Sequence, residues 1–353
     1  MRIIYARMAG YNFVSTPSDA VVRELENLGH TIFWTDNLSY LPTDKYDFVF
    51  SPYESATILG DAISKVLGIP HYAHIEWLPP WRILPVNPKD YGISKDSKEL
   101  NNEQLISNYK KIGKAWLEAE LKTISCRTFI PYHEKFLQTD LANVLARYPS
   151  IDYRGLSIAK KMFTPKKIPN MIITVSRLVE NKRYDLMCKV MNRIKTKVIW
   201  NIVGDGPLKD FIKKEITNPN VTLVFSGALW GWERIYKQMQ ASVMLGSWTG
   251  MPPFECAILG AYPVVVAPPM TDEFAKGIHP LGEQFGNAIF MRPEEDAEYL
   301  AEYIDATLAK PEDIPGYCME ITEELLAGKC GITMTETNAK IIIDKMETYL
   351  KYI

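Results

Sequence analysis

Three charged residues in the second half of the chain have types and positions suited to binding a phosphorylated ligand. Arg177 and Lys182 follow an apolar strand predicted at Met171–Val175. An arginine fork and a lysine point charge at one strand end are typical of a site that neutralises a diphosphate. Glu255 lies about one turn inside a helix predicted after Gly250, so we expect its carboxylate to reach past the phosphates to a neutral polar group such as a ribose.

The segment 242–266 predicts the element that positions this carboxylate. A short apolar strand at Ser242–Leu245 leads into the loop Ser247-Trp-Thr-Gly-Met251, and a brief helix ends at Gly260 before another apolar strand, Tyr262–Val266. Together they form one βαβ unit, with free backbone N–H groups expected at the helix start. Such groups favour a phosphate, so the segment predicts a nucleotide site in outline.

Two further strand ends carry small residues. The turn Gly204-Asp-Gly-Pro207 is explained by positive φ angles and by a proline at the first position of a helix. The segment Ser226-Gly227-Ala228-Leu229 fits either a nucleobase pocket lined by backbone groups or a plain strand–helix loop. Taken alone, the basic residues at 177 and 182 also fit a solvated turn.

Length and composition indicate a soluble two-domain protein. The 353 residues are too many for one ordinary core, and they are 47% hydrophobic and 23% charged. The net charge of −2 means that the chain has no excess of basic residues for binding phosphates, which disfavours nucleic acid as a partner. The five cysteines are scattered without a C-x-x-C pair, which is typical of thiols in a reducing compartment rather than a disulfide frame or a zinc site.

The sequence predicts neither export nor a membrane span. Arg7 interrupts the short apolar start of the chain, so no signal-peptide core is recognisable. No run approaches the roughly 18 apolar residues needed to cross a bilayer. We therefore expect a cytoplasmic protein that is at most peripheral at the inner face of the membrane.

Strand-like runs alternate with helical patterns in both halves of the chain. The runs are continuous rather than alternating, which is typical of parallel strands buried on both faces. A stretch rich in lysine and proline, residues 160–170, is the linker candidate, and it follows a final short run at Asp152–Leu156. The pattern predicts an α/β protein with a first domain over 1–165, a second over 166–335 and a last helix over 336–353.

Four motifs occur in order and at a characteristic spacing: Ile173–Lys182, Ile202–Pro207, Phe225–Gly227 and Gly250–Val264. They resemble the donor domain of the family 4 glycosyltransferases, over about residues 165 to 310, and the first half resembles the family more weakly. The resemblance implies the GT-B fold, with two Rossmann-like domains facing across a cleft and the C-terminal helix returning to the first domain. It also implies transfer of a hexose from a UDP- or GDP-sugar with retention of configuration, and no metal or other cofactor.

The resemblance assigns roles to residues of the second domain. Arg177 and Lys182 would hold the diphosphate and stabilise the departing charge, and Glu255 would bind the ribose hydroxyls. The backbone amides of Gly250 and Met251 would lie at the phosphate and sugar. The remaining donor-side residues that it implies are Ser247, Gly227, Ala228, Leu229, Gly10 and Tyr11.

The first domain is expected to bind the acceptor, which could be a glycan, a lipid-linked molecule or a small molecule. His74 ends a strand where the family often has a histidine near the transferred sugar, although a histidine there also fits a structural role. His133 would face the cleft from a loop. Trp77 and Trp81 could stack on an acceptor sugar or could simply pack their own loop.

Two positions depart from the family pattern. Ser247 stands where the first of two glutamates is common, and Arg183 stands where a glycine often follows the lysine and would add positive charge near the phosphates. The missing carboxylate leaves two alternatives open beside the transferase. One is a catalytically silent relative that binds sugar nucleotides or glycans, and the other is a sugar-nucleotide epimerase of the same fold.

Overall fold

The structure, a computed structural model, describes eleven stretches of the chain: residues 1–7, 17–52, 54–74, 128–129, 150–179, 182–229, 231–247, 251–266, 290–292, 297–327 and 333–351. They form two compact units, one built from the residues up to Ser150 together with those from Thr333 onward, the other from the residues between Ile151 and Ile332.

Strands and helices alternate along the described residues of both units. Up to residue 151 they are β1 Arg2–Ala6, α1 Pro17–Asn27, β2 Thr31–Thr35, β3 Phe48–Pro52, α2 Glu54–Leu67, β4 His71–His74, β5 Thr128–Phe129 and β6 Ser150–Ile151. From there they are α3 Tyr153–Met162, β7 Met171–Val175, α4 Tyr184–Met191, β8 Val198–Val203, α5 Lys209–Glu215, β9 Val221–Gly227, α6 Gly231–Gln240, β10 Val243–Ser247, α7 Pro252–Ile258, β11 Tyr262–Val266, β12 Phe290–Arg292, α8 Ala297–Ala309, α9 Ile314–Leu326, β13 Thr333–Met334 and α10 Thr335–Leu350.

The first unit contains a parallel sheet in the order β2-β1-β3-β4-β5. Successive residues of β1 point to opposite faces of the sheet. Ile3 belongs to a buried cluster with Val21 of α1, whereas Ile4 belongs to a second cluster with Ile63 of α2. Helices therefore cover both faces, which explains why the neighbouring residues Ile3 and Ile4 are both apolar.

The C-terminal helix packs within the first unit, as predicted. Ile342 and Met346 of α10 are buried in the same cluster as Val22 and Leu25 of α1. Tyr349, one turn further along α10, lies edge-on to the ring of Phe48 with the centroids 5.9 Å apart. The apolar stripe that was visible in the sequence of this helix is thus the face that it buries.

The second unit contains a six-stranded parallel sheet in the order β12-β11-β10-β7-β8-β9. Two successive buried hydrogen bonds connect the strands at its centre. Trp200 of β8 donates its indole N–H to Thr174 Oγ1 of β7 at 2.9 Å, and that hydroxyl donates to Leu245 O of β10 at 2.5 Å. Because each buried donor has a partner, three central strands are tied together without an unsatisfied group among these atoms.

The sequence-based interpretation of residues 152–170 was wrong in two respects. The run at 152–156 is the start of helix α3, and Asp152 caps it by accepting the N–H of Gly155 at 2.8 Å. The linker candidate begins inside this helix and is anchored, because Lys167 Nζ donates to Ala241 O at 2.5 Å and to Gly260 O at 2.7 Å. The second unit begins at Ile151, whereas the predicted boundary lay at 165/166.

Other predictions fall outside the described residues. They include the loop that carries Trp77 and Trp81 and the loop that carries His133. Among the helices that the structure describes, none has the length and apolar character needed to cross a membrane.

Candidate active site

The sheet of the second unit has a topological switch point between β7 and β10. The chain runs from β7 outward through β8 and β9, and then returns to form β10 on the other side of β7. Ligands of open parallel sheets bind at such a point, beyond the carboxyl ends of the two strands. Ser176 follows β7 directly and Ser247 is the last residue of β10, and both belong to segments that were singled out in the sequence.

Arg177 and Lys182 lie together after β7. Arg177 is exposed and Lys182 is partly buried. Burial, and to a smaller extent the positive charge of Arg177, lower the pKa of Lys182 to about 8. The two cations are therefore close enough to repel each other, and an anion placed between them would relieve that repulsion.

The backbone beneath this pair is held by close packing of two turns. Ser176 N–H donates to Val203 O at 3.1 Å, and Leu178 N–H donates to Asp205 O at 2.9 Å. Gly204 has a φ of +152°, and a Cβ atom at this position would collide with the carbonyl oxygen of Ser176. The glycine is thus required for the approach of the β8 turn to the β7 turn, in agreement with the structural explanation predicted for it.

A buried tyrosine, which the sequence did not reveal as part of the site, supports the first residue of this loop. The hydroxyl of Tyr184 lies 2.8 Å from Ser176 Oγ, and the Tyr184 side chain is fully buried. Burial raises the pKa of Tyr184 far above its ordinary value, so the phenol stays protonated. It therefore acts as a fixed hydrogen-bonding group beside the residue that precedes Arg177.

The charge of Arg183 is paired with a neighbouring carboxylate, whereas the sequence analysis expected it to add positive charge near the phosphates. Its guanidinium pairs with Asp185 through two hydrogen bonds of 2.8 and 3.0 Å. Burial opposes ionisation of Asp185, but the hydrogen bonds and charge of Arg183 lower its pKa below the ordinary value. Arg183 has a φ of +54°, the left-handed conformation that glycine adopts more easily, which agrees with its position where a glycine was expected.

Glu255 lies in the first turn of α7 and is contacted by two side chains of α6. Arg234 Nη2 donates to Glu255 Oε1 at 3.2 Å, and Gln238 Nε2 donates to Glu255 Oε2 at 3.3 Å. The sequence analysis missed both partners. Their spacing of four residues was a usable signal, since it places both side chains on one face of a helix.

The start of α7 provides fewer hydrogen-bond donors than the sequence analysis predicted. The first two helical residues are Pro252 and Pro253, which have no backbone N–H. The amides of Phe254 and Glu255 both donate to Met251 O, at 3.0 and 3.1 Å. The expectation of free N–H groups at the first residues of this helix was therefore wrong. Of the backbone amides of Gly250 and Met251, which the resemblance assigned to the phosphate and sugar, that of Met251 lies in the described part of the chain.

The end of β9 places the predicted nucleobase segment at the same edge of the sheet. Gly227 has a φ of +73°, and its carbonyl accepts the N–H of Gly204 at 2.8 Å. Ala228 is exposed, whereas Leu229 packs against the core cluster that contains Met171 and Val175. A ligand at this edge would thus meet the backbone of Leu229 rather than its side chain.

The remaining predicted residues are described in part or not at all. For His74 and Ser247 the structure gives the backbone, which places them as the last residues of β4 and β10. Gly250, Gly10, Tyr11, His133, Trp77 and Trp81 lie outside the described residues. Within the described part of the chain, no three His, Cys, Asp or Glu side chains are grouped in a way that would hold a metal ion.

Comparisons with known proteins agree with this architecture. Residues 158–324 match the family model of the glycosyl transferases group 1. The chain is similar in structure to sucrose-phosphate synthase from Thermosynechococcus elongatus, at 13% identity and a TM-score of 0.57, with all of both chains covered. It is also similar to HepE of Anabaena in complex with UDP, at 13% identity and a TM-score of 0.51, covering 99% of this chain and 100% of that one.

HepE in complex with UDP-glucose gives the same likeness, at 12% identity and a TM-score of 0.51 with both chains fully covered. No curated protein matches the chain by sequence. At these identities the structural likeness shows the fold, and the family model covers the donor-side half. Residues 158–324, somewhat less than half of the chain, thus match the glycosyl transferases group 1, which supports a glycosyltransferase, and the chain has the GT-B fold.

Proposed function

We propose that the protein is a retaining hexosyltransferase that uses a nucleotide-diphosphate sugar as donor. The observation that carries the proposal is the pair of mutually repelling cations, Arg177 and Lys182, at the switch point of the second sheet. A diphosphate is the ligand that two such cations favour, because it provides oxygens for both. Glu255, on the other side of the switch point, supplies an acceptor for ribose hydroxyls.

The proposed chemistry is a substitution at the anomeric carbon. The bond between this carbon and the β-phosphate oxygen breaks, and the two cations stabilise the negative charge that develops on the departing diphosphate. The acceptor hydroxyl forms the new bond on the same face, and its proton passes to the departing phosphate oxygen. Since arginine and lysine neutralise the leaving group, the mechanism needs no metal ion or other cofactor.

Ser247 bears on the choice of sugar. It ends β10 at the switch point, where a carboxylate would be expected in the family that the motifs resemble. A serine hydroxyl is shorter and uncharged, so it would hold the sugar hydroxyls less firmly. HepE was solved with UDP-glucose, which makes UDP-glucose the first donor to test here, with GDP-mannose as the comparison.

The acceptor is assigned to the first unit, where His74 ends a strand of the parallel sheet. We propose that the acceptor is a glycan, a lipid-linked molecule or a small molecule. Transfer of the sugar would take place in the cytoplasm, with at most peripheral contact between the protein and the inner membrane face. Nucleic acid is disfavoured as a partner by the net charge of −2.

The experiment that tests the proposal measures nucleotide release from UDP-glucose and GDP-mannose, with and without a panel of acceptors. Release that depends on an acceptor and persists in EDTA supports the transferase, and the anomeric coupling constant of the product reports retention. Release of no nucleotide, together with no binding of either donor, would contradict the proposal.

Ser247 favours one alternative, a silent relative that binds sugar nucleotides without turnover. Binding of a donor without transfer, unrestored by Ser247→Glu, would support it. An epimerase of the same fold would convert the sugar nucleotide without any acceptor, so analysis of the products separates that possibility from both others.

A further inference from the structure

The carboxylate of Glu255 is held at both of its oxygens by side chains of a different helix. Arg234 donates to one oxygen at 3.2 Å, and Gln238 donates to the other at 3.3 Å. The Glu255 side chain keeps 15% of its surface exposed, and that of Arg234 keeps 26%. Gln238 is fully buried. The carboxylate is therefore oriented from the protein side while a part of it remains open.

This network carries polar groups that the fold itself does not need. Arg234 Nε and Gln238 Oε1 are buried without a hydrogen-bond partner among the described residues. Gln238 Nε2 also lies 3.4 Å from Cys256 Sγ, so its amide nitrogen is committed to α7 and its oxygen faces away. An apolar side chain of similar shape would avoid the cost of an unpaired buried oxygen. Such a locally unfavourable choice is expected where a side chain serves a site.

We propose that Arg234 and Gln238 are positioning residues that set the orientation of Glu255 for binding the two ribose hydroxyls of the nucleotide. This inference rests on the proposed function and deepens it. An ionised carboxylate has about four lone-pair sites. The two contacts from α6 use one site on each oxygen, which leaves one site on each oxygen for the 2′- and 3′-hydroxyl groups. Arg234 and Gln238 thus act through Glu255 and do not touch the ligand.

The proposal predicts a defect that is specific to the ribose. The probes are UDP and 2′,3′-dideoxy-UDP, with GDP and its dideoxy analogue as the second pair, measured by isothermal titration calorimetry. The wild-type protein is expected to bind the hydroxylated nucleotide about tenfold more tightly than the dideoxy analogue, because two hydrogen bonds to an ionised group are lost. Glu255→Ala should reduce this ratio to near one.

Arg234→Ala and Gln238→Leu should each reduce the same ratio at least threefold and leave the affinity for the dideoxy analogue unchanged. Lys237→Ala is the matched control, since it removes a partly exposed cation from the same helix, and it should keep the wild-type ratio. The double variant Arg234→Ala with Glu255→Ala should lose no more than Glu255→Ala alone, because the two residues act on one contact.

Thermal unfolding supplies the readout that separates positioning from support of the fold. Gln238→Leu removes the unpaired buried oxygen together with the hydrogen bond to Glu255, two opposing effects on stability, so its Tm should stay close to that of the wild type while the ribose ratio falls. A ratio that stays at the wild-type value in both α6 variants would overturn the inference. So would an equal loss of affinity for both nucleotides accompanied by a lower Tm. A wild-type protein that binds neither UDP nor GDP would instead refute the proposed function, and the inference with it.

Discussion

The low pKa of Lys182 predicts that the affinity for the proposed donor depends on pH in a range where an ordinary lysine would not respond. In the free protein, burial and the neighbouring charge of Arg177 lower this pKa to about 8. A diphosphate bound against the ammonium group stabilises its charged form, so the bound state keeps the proton to a higher pH. We therefore expect donor affinity to be largest below pH 8 and to fall as the pH rises above it.

The size of the effect follows from the protonated fraction. With a pKa of about 8, roughly nine-tenths of the Lys182 side chains are protonated at pH 7 and roughly one-tenth at pH 9. If the bound form stays protonated, the Kd for UDP-glucose rises about tenfold over these two pH units, or about 1.4 kcal/mol. A lysine with its ordinary pKa near 10.4 would change the Kd by only a few per cent over the same range.

The assay is calorimetric titration with UDP-glucose between pH 7 and pH 9, since its esterified diphosphate keeps the same charge throughout. Lys182→Arg is the control because a guanidinium stays charged in this range. Its Kd should vary little with pH, apart from any contribution of the base, which the two proteins share. A wild-type Kd that does not change, or a Lys182→Arg variant with the same tenfold rise, would refute the assignment of Lys182 to the diphosphate.

Three further predictions concern stability and the donor site. Burial lowers the pKa of His71 to about 3, so the unfolded state binds a proton that the folded state refuses once the pH falls below about 6.5. The stability that the neutral His71 side chain contributes is therefore complete above that pH and is lost on acidification, by about 1.4 kcal/mol at pH 5.5. Denaturant unfolding of the wild type and of His71→Gln at pH 7.5 and pH 5.5 measures this loss. Gly204→Ala should lower the free energy of unfolding by about 2 kcal/mol or more, because the new methyl group meets the Ser176 carbonyl at a φ that alanine avoids. Glu255→Ala should lower kcat/KM for the donor by about 10- to 1000-fold, read from nucleotide release.

Each of these predictions has a matched comparison. Gly316 lies in α9 with open space where a new methyl group would stand, so Gly316→Ala should raise the free energy of unfolding by about 0.5 to 1 kcal/mol. Equal effects of the two glycine substitutions would contradict the close-approach argument for Gly204. A His71→Gln variant with the same acid sensitivity as the wild type would remove His71 as its cause. Wild-type kinetics in Glu255→Ala would exclude it from the donor site.

The parts of the fold that were predicted correctly are those encoded in consecutive residues. The strands at 171–175 and 262–266 have the predicted bounds, because each is a continuous apolar run between turn residues. The stretch 152–170 was interpreted wrongly because the prediction used local composition alone. Its lysines and prolines have the composition of a linker, whereas long-range contacts from Lys160 and Lys167 hold it against the second unit.

The sequence by itself predicted the α/β class of the protein and a nucleotide site in its second half. Parallel strands, a cation pair after one strand and a carboxylate in a short helix are local features, and together they predicted a nucleotide site at the carboxyl edge of a sheet. The sugar nucleotide was implied by the resemblance of the ordered motifs to a known family. Such features are readable because propensity, periodicity and motif spacing depend on neighbours along the chain.

Only the tertiary structure decided what the charged groups of that site contact. It paired Arg183 with Asp185, placed Tyr184 beneath Ser176, and brought α6 against Glu255. It also placed the switch point between β7 and β10, which depends on the order of strands in the sheet. The physical reason is that the strength of a charge depends on burial and on partners from other elements, and neither is set until those elements have packed.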